Sequence, residues 1–258
     1  MEKSMIRVIH HMARTGGTVI CKCLACMQDI VLLSEIHPLG TWQFNPVKQA
    51  QQWFQLFSEQ ELEKYSSQPI SFNSSIRLIN DKVEQQGKKL VLRDWSHLDF
   101  TAVPFLPQPS YRLQLYDSLV QDFDVVRIAT TRHPIDQWLS MDRFASIHGR
   151  LLLEQYLEDY LRFAQAAKEI GFVRYEDFTR QPDEVLTQIT DALQLQYDPD
   201  YKSKWMQYSK ITGDQKNKWQ EIKPRSRPLL EKALLEKFIA NKYYWSALKI
   251  LGYEHYGE

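Results

Sequence analysis

The 258-residue sequence has few cysteines and no long apolar segment. Its three cysteines, Cys21, Cys23 and Cys26, lie close together in one predicted helix, so none has a distant partner for a structural disulfide. This usage predicts a reducing, cytoplasmic location. Cys23 and Cys26 form a Cys-x-x-Cys pair, but without a second pair of ligands we expect no metal site. No apolar run approaches the roughly 20 residues that cross a membrane, so we expect no membrane partner.

The sequence also lacks an excess of either charge. Thirty-two basic residues balance thirty-two acidic ones, and the formal net charge is zero. A protein that binds nucleic acid through a general basic surface is therefore excluded, whereas a local basic pocket is compatible with the composition. The apolar share of 43% is ordinary for a globular protein, and we find neither a repeat nor a linker. We therefore expect a single domain over residues 1–258.

Short apolar runs alternate with amphipathic stretches along the chain. We predict strands over 5–11, 30–34, 89–93, 125–131 and 172–175, and helices over 18–28, 71–86, 151–170, 182–193 and 229–251. This alternation predicts an α/β fold, a three-layer sandwich with a central parallel sheet. Ligands bind beyond the carboxyl ends of such strands. We therefore expect the following residues along one edge of the sheet: Arg14, Glu35, 93–97, Arg132 and Glu176.

The turn after the first predicted strand is suited to binding an anion. It contains Arg14, Thr15, Gly16, Gly17 and Thr18. Two glycines let the backbone bend sharply and approach a ligand, and the N–H groups at the start of the next helix favour a phosphate. The turn is not a Walker A loop, because the Gly-Lys-Ser/Thr run is absent.

A second candidate phosphate site follows the fourth predicted strand. Arg132 ends that strand, Pro134 opens a helix, and Ser140 lies eight residues after the arginine. Eight residues cover about two helical turns, so a loop arginine and a helical serine can converge on one phosphate. Arginine offers a planar fork of donors and serine adds a hydroxyl.

Together these two segments resemble the cofactor-binding elements of the sulfotransferases, which use 3′-phosphoadenosine 5′-phosphosulfate (PAPS). The first loop of that family runs like Pro-Arg/Lys-Ser-Gly-Thr-Thr, and residues 13–18 are similar to it. Its second motif is an Arg, a Pro two residues later and a Ser eight after the Arg, here Arg132, Pro134 and Ser140. Residues 172–178 and the polar loop 211–218 resemble two further family segments. The sequence departs at Gly17, where a Thr or Ser is usual, and at Ala13, where Pro is common.

The resemblance implies a fold like that of the P-loop NTPases and transfer of a sulfuryl group from PAPS to a hydroxyl, or an amine, of a small-molecule acceptor. The product would be 3′-phosphoadenosine 5′-phosphate (PAP). Arg14 is implied to stabilise the leaving group as well as bind it. The implied cofactor-binding residues are Arg14, Thr15, Gly16, Gly17 and Thr18 for the 5′-phosphosulfate, Arg132 and Ser140 for the 3′-phosphate, and Lys216 in the late loop.

A hydroxyl acceptor needs a general base, and three residues are candidates. His97 is the first choice, because it follows the third strand, where many sulfotransferases place a catalytic histidine. Glu35 follows the second strand, where some members of the family use a glutamate. His37 lies two residues beyond it.

Two other functions remain open from the sequence. The first is a P-loop kinase that uses ATP. Such a kinase would depend on magnesium and carry a Gly-Lys-Ser/Thr run, which this sequence lacks. The second is a non-catalytic nucleotide-binding protein on the same fold, in which Arg132 and Ser140 would keep their role.

Overall fold

The computed structural model of the chain describes residues 3–213, 221–226 and 229–255. Five parallel strands form one sheet in the order β2-β3-β1-β4-β5. The predicted central parallel sheet is confirmed, and each predicted strand is present with ends shifted by at most two residues. The strands are β1 (Met5–His11), β2 (Ile30–Ile36), β3 (Lys89–Asp94), β4 (Asp124–Thr131) and β5 (Phe172–Arg174).

Helices connect and cover the strands. Their starts follow local sequence signals: Ser58 and Glu61 form the reciprocal capping box of α3, and Ser71 caps α4. The α-helices are α1 (Gly17–Ala25), α2 (Pro46–Phe54), α3 (Glu59–Ser67), α4 (Phe72–Gln85), α5 (His97–Phe100), α6 (Gln114–Leu119), α7 (Pro134–Met141), α8 (Leu153–Ile170), α9 (Tyr175–Arg180), α10 (Pro182–Ala192), α11 (Tyr201–Lys204), α12 (Lys232–Ile239) and α13 (Lys242–Leu251).

Two predicted helices differ from the structure. The helix predicted over 229–251 is divided into α12 and α13, because the Asn241 side chain accepts a hydrogen bond from the Tyr243 amide and starts a new helix there. The helix predicted over 18–28 ends at Ala25. Periodicity of apolar residues continues through both boundaries, so it does not reveal them.

The strands are buried on both faces, as parallel sheets are. Ile9, Val91 and Ile128 point to one face, where they pack in one cluster with residues of α1 and α10. Val8 and Leu92 point to the other face and pack against α4. On that second face the end of the sheet at β4 is covered by α8 and α13. The fold therefore has three layers, with helices on both sides of the sheet.

The strand order decides which loops meet. β1 lies between β3 and β4, with Ile9 beside Arg93 on one side and His11 beside Thr130 on the other. The loops after β1 and β4 therefore leave the same edge of the sheet side by side. Within the described ranges, no helix combines the length and apolarity that a membrane crossing requires.

Candidate anion-binding site

A pocket of about 670 Å³ opens at the carboxyl ends of the strands. The loops after β1 and β4 form its floor, and the start of α9 and residues 224–226 form its walls. Its charged lining side chains are six arginines and three carboxylates. They are Arg14, Arg93, Arg132, Arg143, Arg180, Arg225, Asp136, Glu176 and Glu254. The excess of fixed positive charge in one concave site suits an anionic ligand.

The loop after β1 exposes backbone at the start of α1. Gly16 is the residue before the helix, in the left-handed region at φ +84°, and no described side chain caps the helix there. A Cβ atom at Gly16 would overlap the ring of Tyr175, so both the backbone angle and the close contact require glycine. Arg14 also has a positive φ, +68°. The loop thus presents the free N–H end of a helix to the pocket, an arrangement that binds anions.

Gly17, the residue that departs from the family pattern, has a local structural reason. A Cβ atom at this position would lie 2.6 Å from Cε1 and Nε2 of His11. His11 is the last residue of β1, and its imidazole is buried beneath the loop. Gly17 therefore makes room for His11, a pocket residue that the sequence analysis did not identify. Its position one alternation after the core residue Ile9 was a signal that it faces α1.

The two candidate phosphate-binding segments contact each other. Arg14 Nε donates a hydrogen bond to Ser140 Oγ at 2.9 Å, and Arg132 Nη1 donates to the Arg14 carbonyl at 3.2 Å. The Arg132 guanidinium lies over the ring of Tyr175, 5.1 Å from its centroid. Arg132 Nε is buried and has no hydrogen-bond partner among the described residues. A buried donor of this kind is costly unless a ligand or water satisfies it.

Arg93 connects the pocket to the strand β2. Its Nε donates to His11 Nε2 at 2.6 Å, and its Nη1 donates to Ser34 Oγ and to the Thr212 carbonyl, both at 3.0 Å. Burial and the adjacent Arg93 charge hold the pKa of His11 well below its usual value. His11 is therefore neutral near pH 7, with its proton on Nδ1, because Nε2 accepts from Arg93.

Glu35 lies at the border of this network in an unusual backbone conformation. Its carboxylate Oε1 is 3.6 Å from Arg93 Nη2, and its side chain is 18% exposed. The register of β2 against β3 shifts between Ser34 and Ile36, so Glu35 is the extra residue of a bulge, with φ +57°. Bulges next to active sites commonly redirect a side chain, and strained non-glycine residues concentrate at functional sites.

The structure does not bring His97, the first choice for the base, into the pocket. His97 is 2% exposed, and its Nε2 lies 2.6 Å from the Val103 carbonyl. Burial lowers the pKa of His97 to about 4. A group so enclosed and so weakly basic does not fit the removal of a proton from a bound acceptor.

His37 is also enclosed. Its Nδ1 accepts from the Leu39 amide at 3.1 Å, and its Nε2 is 3.2 Å from Asp99 Oδ1, with both side chains fully buried. Both ring nitrogens thus face protein groups. Of the three candidate bases, Glu35 has the most exposed side chain, although it is not among the residues that line the pocket.

The remaining candidate residues divide into three groups. Arg14, Gly16, Gly17, Thr18, Arg132 and Ser140 line the pocket together. Thr15 is fully buried, and its hydroxyl donates to the Met12 carbonyl at 2.9 Å, so it fixes the loop from inside. Lys216 lies outside the described residues. Apart from His11, the sequence analysis missed Arg143, Tyr175 and Arg225, which come from segments without a phosphate-binding pattern.

Comparison with solved structures identifies the fold. The sulfotransferase domain from the curacin biosynthetic pathway superposes with a TM-score of 0.65 over 98% of this chain and 99% of that domain, at 17% sequence identity. Mouse sulfotransferase SULT7A1 complexed with PAP matches with a TM-score of 0.40 and 14% identity, over 80% of this chain and 64% of that one. No protein-family model and no curated protein matched the sequence. The chain therefore has the sulfotransferase α/β fold.

Proposed function

We propose that this protein is a PAPS-dependent sulfotransferase that sulfates a hydroxyl of a small-molecule acceptor. The observation that carries the proposal is the contact between Arg14 and Ser140, which joins two phosphate-binding segments in one arginine-lined pocket on a sulfotransferase fold. PAPS has two separate anionic groups, a 5′-phosphosulfate and a 3′-phosphate. A pocket with two adjacent groups of cationic and hydroxyl donors matches that pattern.

The residues of the pocket fit PAPS. The bare N–H end of α1 and Arg14 would hold the 5′-phosphosulfate, and Arg132 and Ser140 would hold the 3′-phosphate. The unsatisfied Nε of Arg132 gains a partner when an anion binds. The ring of Tyr175, enclosed between Gly16 and Arg132, offers the pocket a flat apolar surface beside both anion sites.

Bound PAPS supplies a sulfuryl group on a phosphate leaving group. In the transfer, the bond from sulfur to the bridging phosphate oxygen breaks, a bond from sulfur to the acceptor oxygen forms, and the acceptor proton leaves. Arg14 and the N–H groups of α1 stabilise the negative charge that develops on the departing phosphate oxygen. Arg93, held by His11, Ser34 and Thr212, keeps a second fixed positive charge beside Thr18.

We assign the general base to Glu35. The bulge in β2 directs its carboxylate toward Arg93, so the proton acceptor lies next to the positive charge that faces the pocket. The carboxylate takes the acceptor proton as the new sulfur–oxygen bond forms. Direct proton transfer requires the acceptor hydroxyl to come within about 3 Å of this carboxylate.

The acceptor would approach from the side of β2 and β3. There the rings of Trp42, Trp95 and Phe105 form a cluster with centroids 4.9–6.4 Å apart, and Trp42 is 62% exposed. The amide of Trp95 donates to the carbonyl of Ile36, the residue after Glu35. The exposed rings of Trp42 and Phe105 favour an apolar or aromatic alcohol as the acceptor.

We further propose a reducing, cytoplasmic environment and no nucleic-acid partner. The cysteines Cys21, Cys23 and Cys26 are unpaired, and the first two are buried in the core. Six arginines line the pocket of a chain whose formal net charge is zero, so basic groups are concentrated there without a general excess of positive charge.

The proposal is tested by comparing ligands and then turnover. Isothermal titration calorimetry should show PAP binding at least ten-fold tighter than ATP, with no requirement for magnesium. Labelled PAPS incubated with a panel of phenols and aliphatic alcohols should then give labelled products. Tight magnesium–ATP binding with phosphate transfer would support the kinase alternative, and PAP binding without turnover of any acceptor would support a non-catalytic nucleotide-binding protein.

A further inference from the structure

The segment after α13 lies across the carboxyl ends of β4 and β5. Gly252 turns the chain with φ +66°, and its carbonyl accepts from Arg174 Nη1 at 2.6 Å. Two residues later the Glu254 carbonyl lies 3.2 Å from His133 Nε2, and the Glu254 residue lines the anion pocket. This segment, residues 252–255, therefore reaches the pocket at Glu254 although it is far in sequence from both candidate phosphate-binding loops.

Tyr253 is the central residue of this segment. Its hydroxyl lies 3.1 Å from Glu176 Oε2 and 3.0 Å from Thr131 Oγ1. Burial raises the pKa of Tyr253 well above its ordinary value, so the hydroxyl stays protonated and donates a hydrogen bond to the Glu176 carboxylate. Tyr253 thus links the end of β4 to the start of α9.

Glu176 connects Tyr253 to the segment that carries Arg132 and Ser140. Its other oxygen, Oε1, accepts a hydrogen bond from the His133 amide at 2.9 Å. His133 precedes α7, lies directly after Arg132, and its ring packs edge-on against Tyr253 at 5.4 Å between centroids. One buried carboxylate therefore connects the tyrosine hydroxyl to the backbone that carries Arg132 and the helix that carries Ser140.

We propose that Tyr253 is a positioning residue for the 3′-phosphate half of the nucleotide site, an inference that rests on the proposed function. Its hydroxyl contacts Glu176 and Thr131. Tyr253 therefore acts on Arg132 and Ser140 indirectly, through Glu176 and His133. Without its hydroxyl, the Glu176 carboxylate loses a donor and holds the His133 amide less firmly. Arg132 and Ser140 then meet the phosphate in a wider range of orientations.

The test compares Tyr253→Phe with a matched control, Tyr201→Phe. Tyr201 is buried, and its hydroxyl, like that of Tyr253, donates to a carboxylate, Asp183 Oδ1, at 2.8 Å. Neither Tyr201 nor Asp183 lines the anion pocket. Calorimetry would measure the affinity of each protein for PAP and for adenosine 5′-monophosphate, which lacks the 3′-phosphate. Steady-state kinetics would measure KM for PAPS and for the acceptor.

For Tyr253→Phe we expect PAP affinity and KM for PAPS to worsen about five-fold, while adenosine 5′-monophosphate affinity, kcat and acceptor KM stay within two-fold. Hydrogen exchange should rise at the His133 amide but not in α1. Tyr201→Phe should leave both nucleotide affinities unchanged. Equal PAP affinity in wild type and Tyr253→Phe, or an equal loss in both variants, would overturn the positioning role alone. A wild-type protein that does not bind PAP would overturn the proposed function together with it.

Discussion

The two halves of the carboxyl edge of the sheet differ in where they place their charged groups. At the ends of β1, β4 and β5, arginines line a pocket of about 670 Å³. On the side of β2 and β3, which also contributes Arg93 to the pocket, two histidine–aspartate pairs are enclosed. His10 Nδ1 is 2.6 Å from Asp94 Oδ2, His37 Nε2 is 3.2 Å from Asp99 Oδ1, and all four side chains are fully buried.

The difference separates ligand binding from loop anchoring. A buried histidine–aspartate pair fixes the segments that carry its members; Asp99, for example, also accepts from Ser110 and from the amide of Gln114. The six arginines of the pocket line a cavity instead. Glu35 lies between the two halves, in contact with Arg93.

The sharpest test of this division is to remove the carboxylate at the border. Glu35→Gln keeps the size of the side chain but cannot accept the acceptor proton, so we expect kcat to fall about 10²- to 10³-fold with PAP affinity within two-fold of wild type. The matched variant His97→Asn removes a histidine from the buried half and should change kcat less than five-fold. A large kcat loss in His97→Asn with a small one in Glu35→Gln would reverse the assignment.

The arginine-lined half of the sheet edge could be predicted from the sequence because its signals are local. The spacing of Arg14 to Thr18 between a strand and a helix, and the eight-residue spacing of Arg132 and Ser140, were sufficient to place these residues on neighbouring loops of a parallel sheet. The parallel sheet itself followed from the alternation of strand and helix patterns. Thr15 shows the limit of local reasoning, since its hydroxyl turns inward to the Met12 carbonyl.

The half of the edge at β2 and β3 could not be predicted in the same way, because its geometry depends on tertiary contacts. Nothing in the residues around His97 indicates that its ring bonds to the Val103 carbonyl, six positions later in an irregular turn. The bulge at Glu35 depends on how β2 aligns with β3, which one strand's sequence does not specify. The role of residues 252–255 likewise depends on α13 packing against α8.

The second prediction concerns the backbone of the loop after β1. Gly16→Ala places a Cβ in the left-handed region and into the Tyr175 ring, so we expect a loss of about 3 kcal/mol in the free energy of unfolding. Gly87→Ala is the matched control, because Gly87 also has a positive φ, +71°, but no neighbour within 4 Å. It should lose only about 1 kcal/mol. Urea denaturation measures both, and equal losses would mean that Tyr175 does not restrict this loop.

The third prediction tests whether the arginines of the pocket bind the nucleotide. Arg132→Ala removes the guanidinium with the unsatisfied Nε, and we expect PAP affinity to fall about 30-fold, or about 2 kcal/mol. The control Arg150→Ala changes an exposed arginine that is absent from the pocket lining, and it should leave PAP affinity unchanged. Calorimetry at two salt concentrations distinguishes the cases, and equal small losses in both variants would indicate a general charge effect.

The last prediction concerns stability and the buried carboxyl of Asp159 on α8. Asp159 accepts from Tyr111 Oη at 2.8 Å and from Gln155 Nε2 at 2.7 Å, yet burial raises its pKa from 3.8 to about 6. A carboxyl with a raised pKa in the folded state favours the folded protein while protonated, so its contribution is lost as the pH rises from about 4 to about 6. We expect this loss to be at most about 3 kcal/mol, the full value of a shift of two pKa units, and Asp159→Asn should abolish it. The free energy of unfolding of both proteins, measured by urea between pH 4 and pH 7, gives the comparison. The Asn variant should be the more stable one at pH 7 and show a flatter profile; parallel profiles would mean that Asp159 stays ionised in the fold, as an exposed carboxyl does.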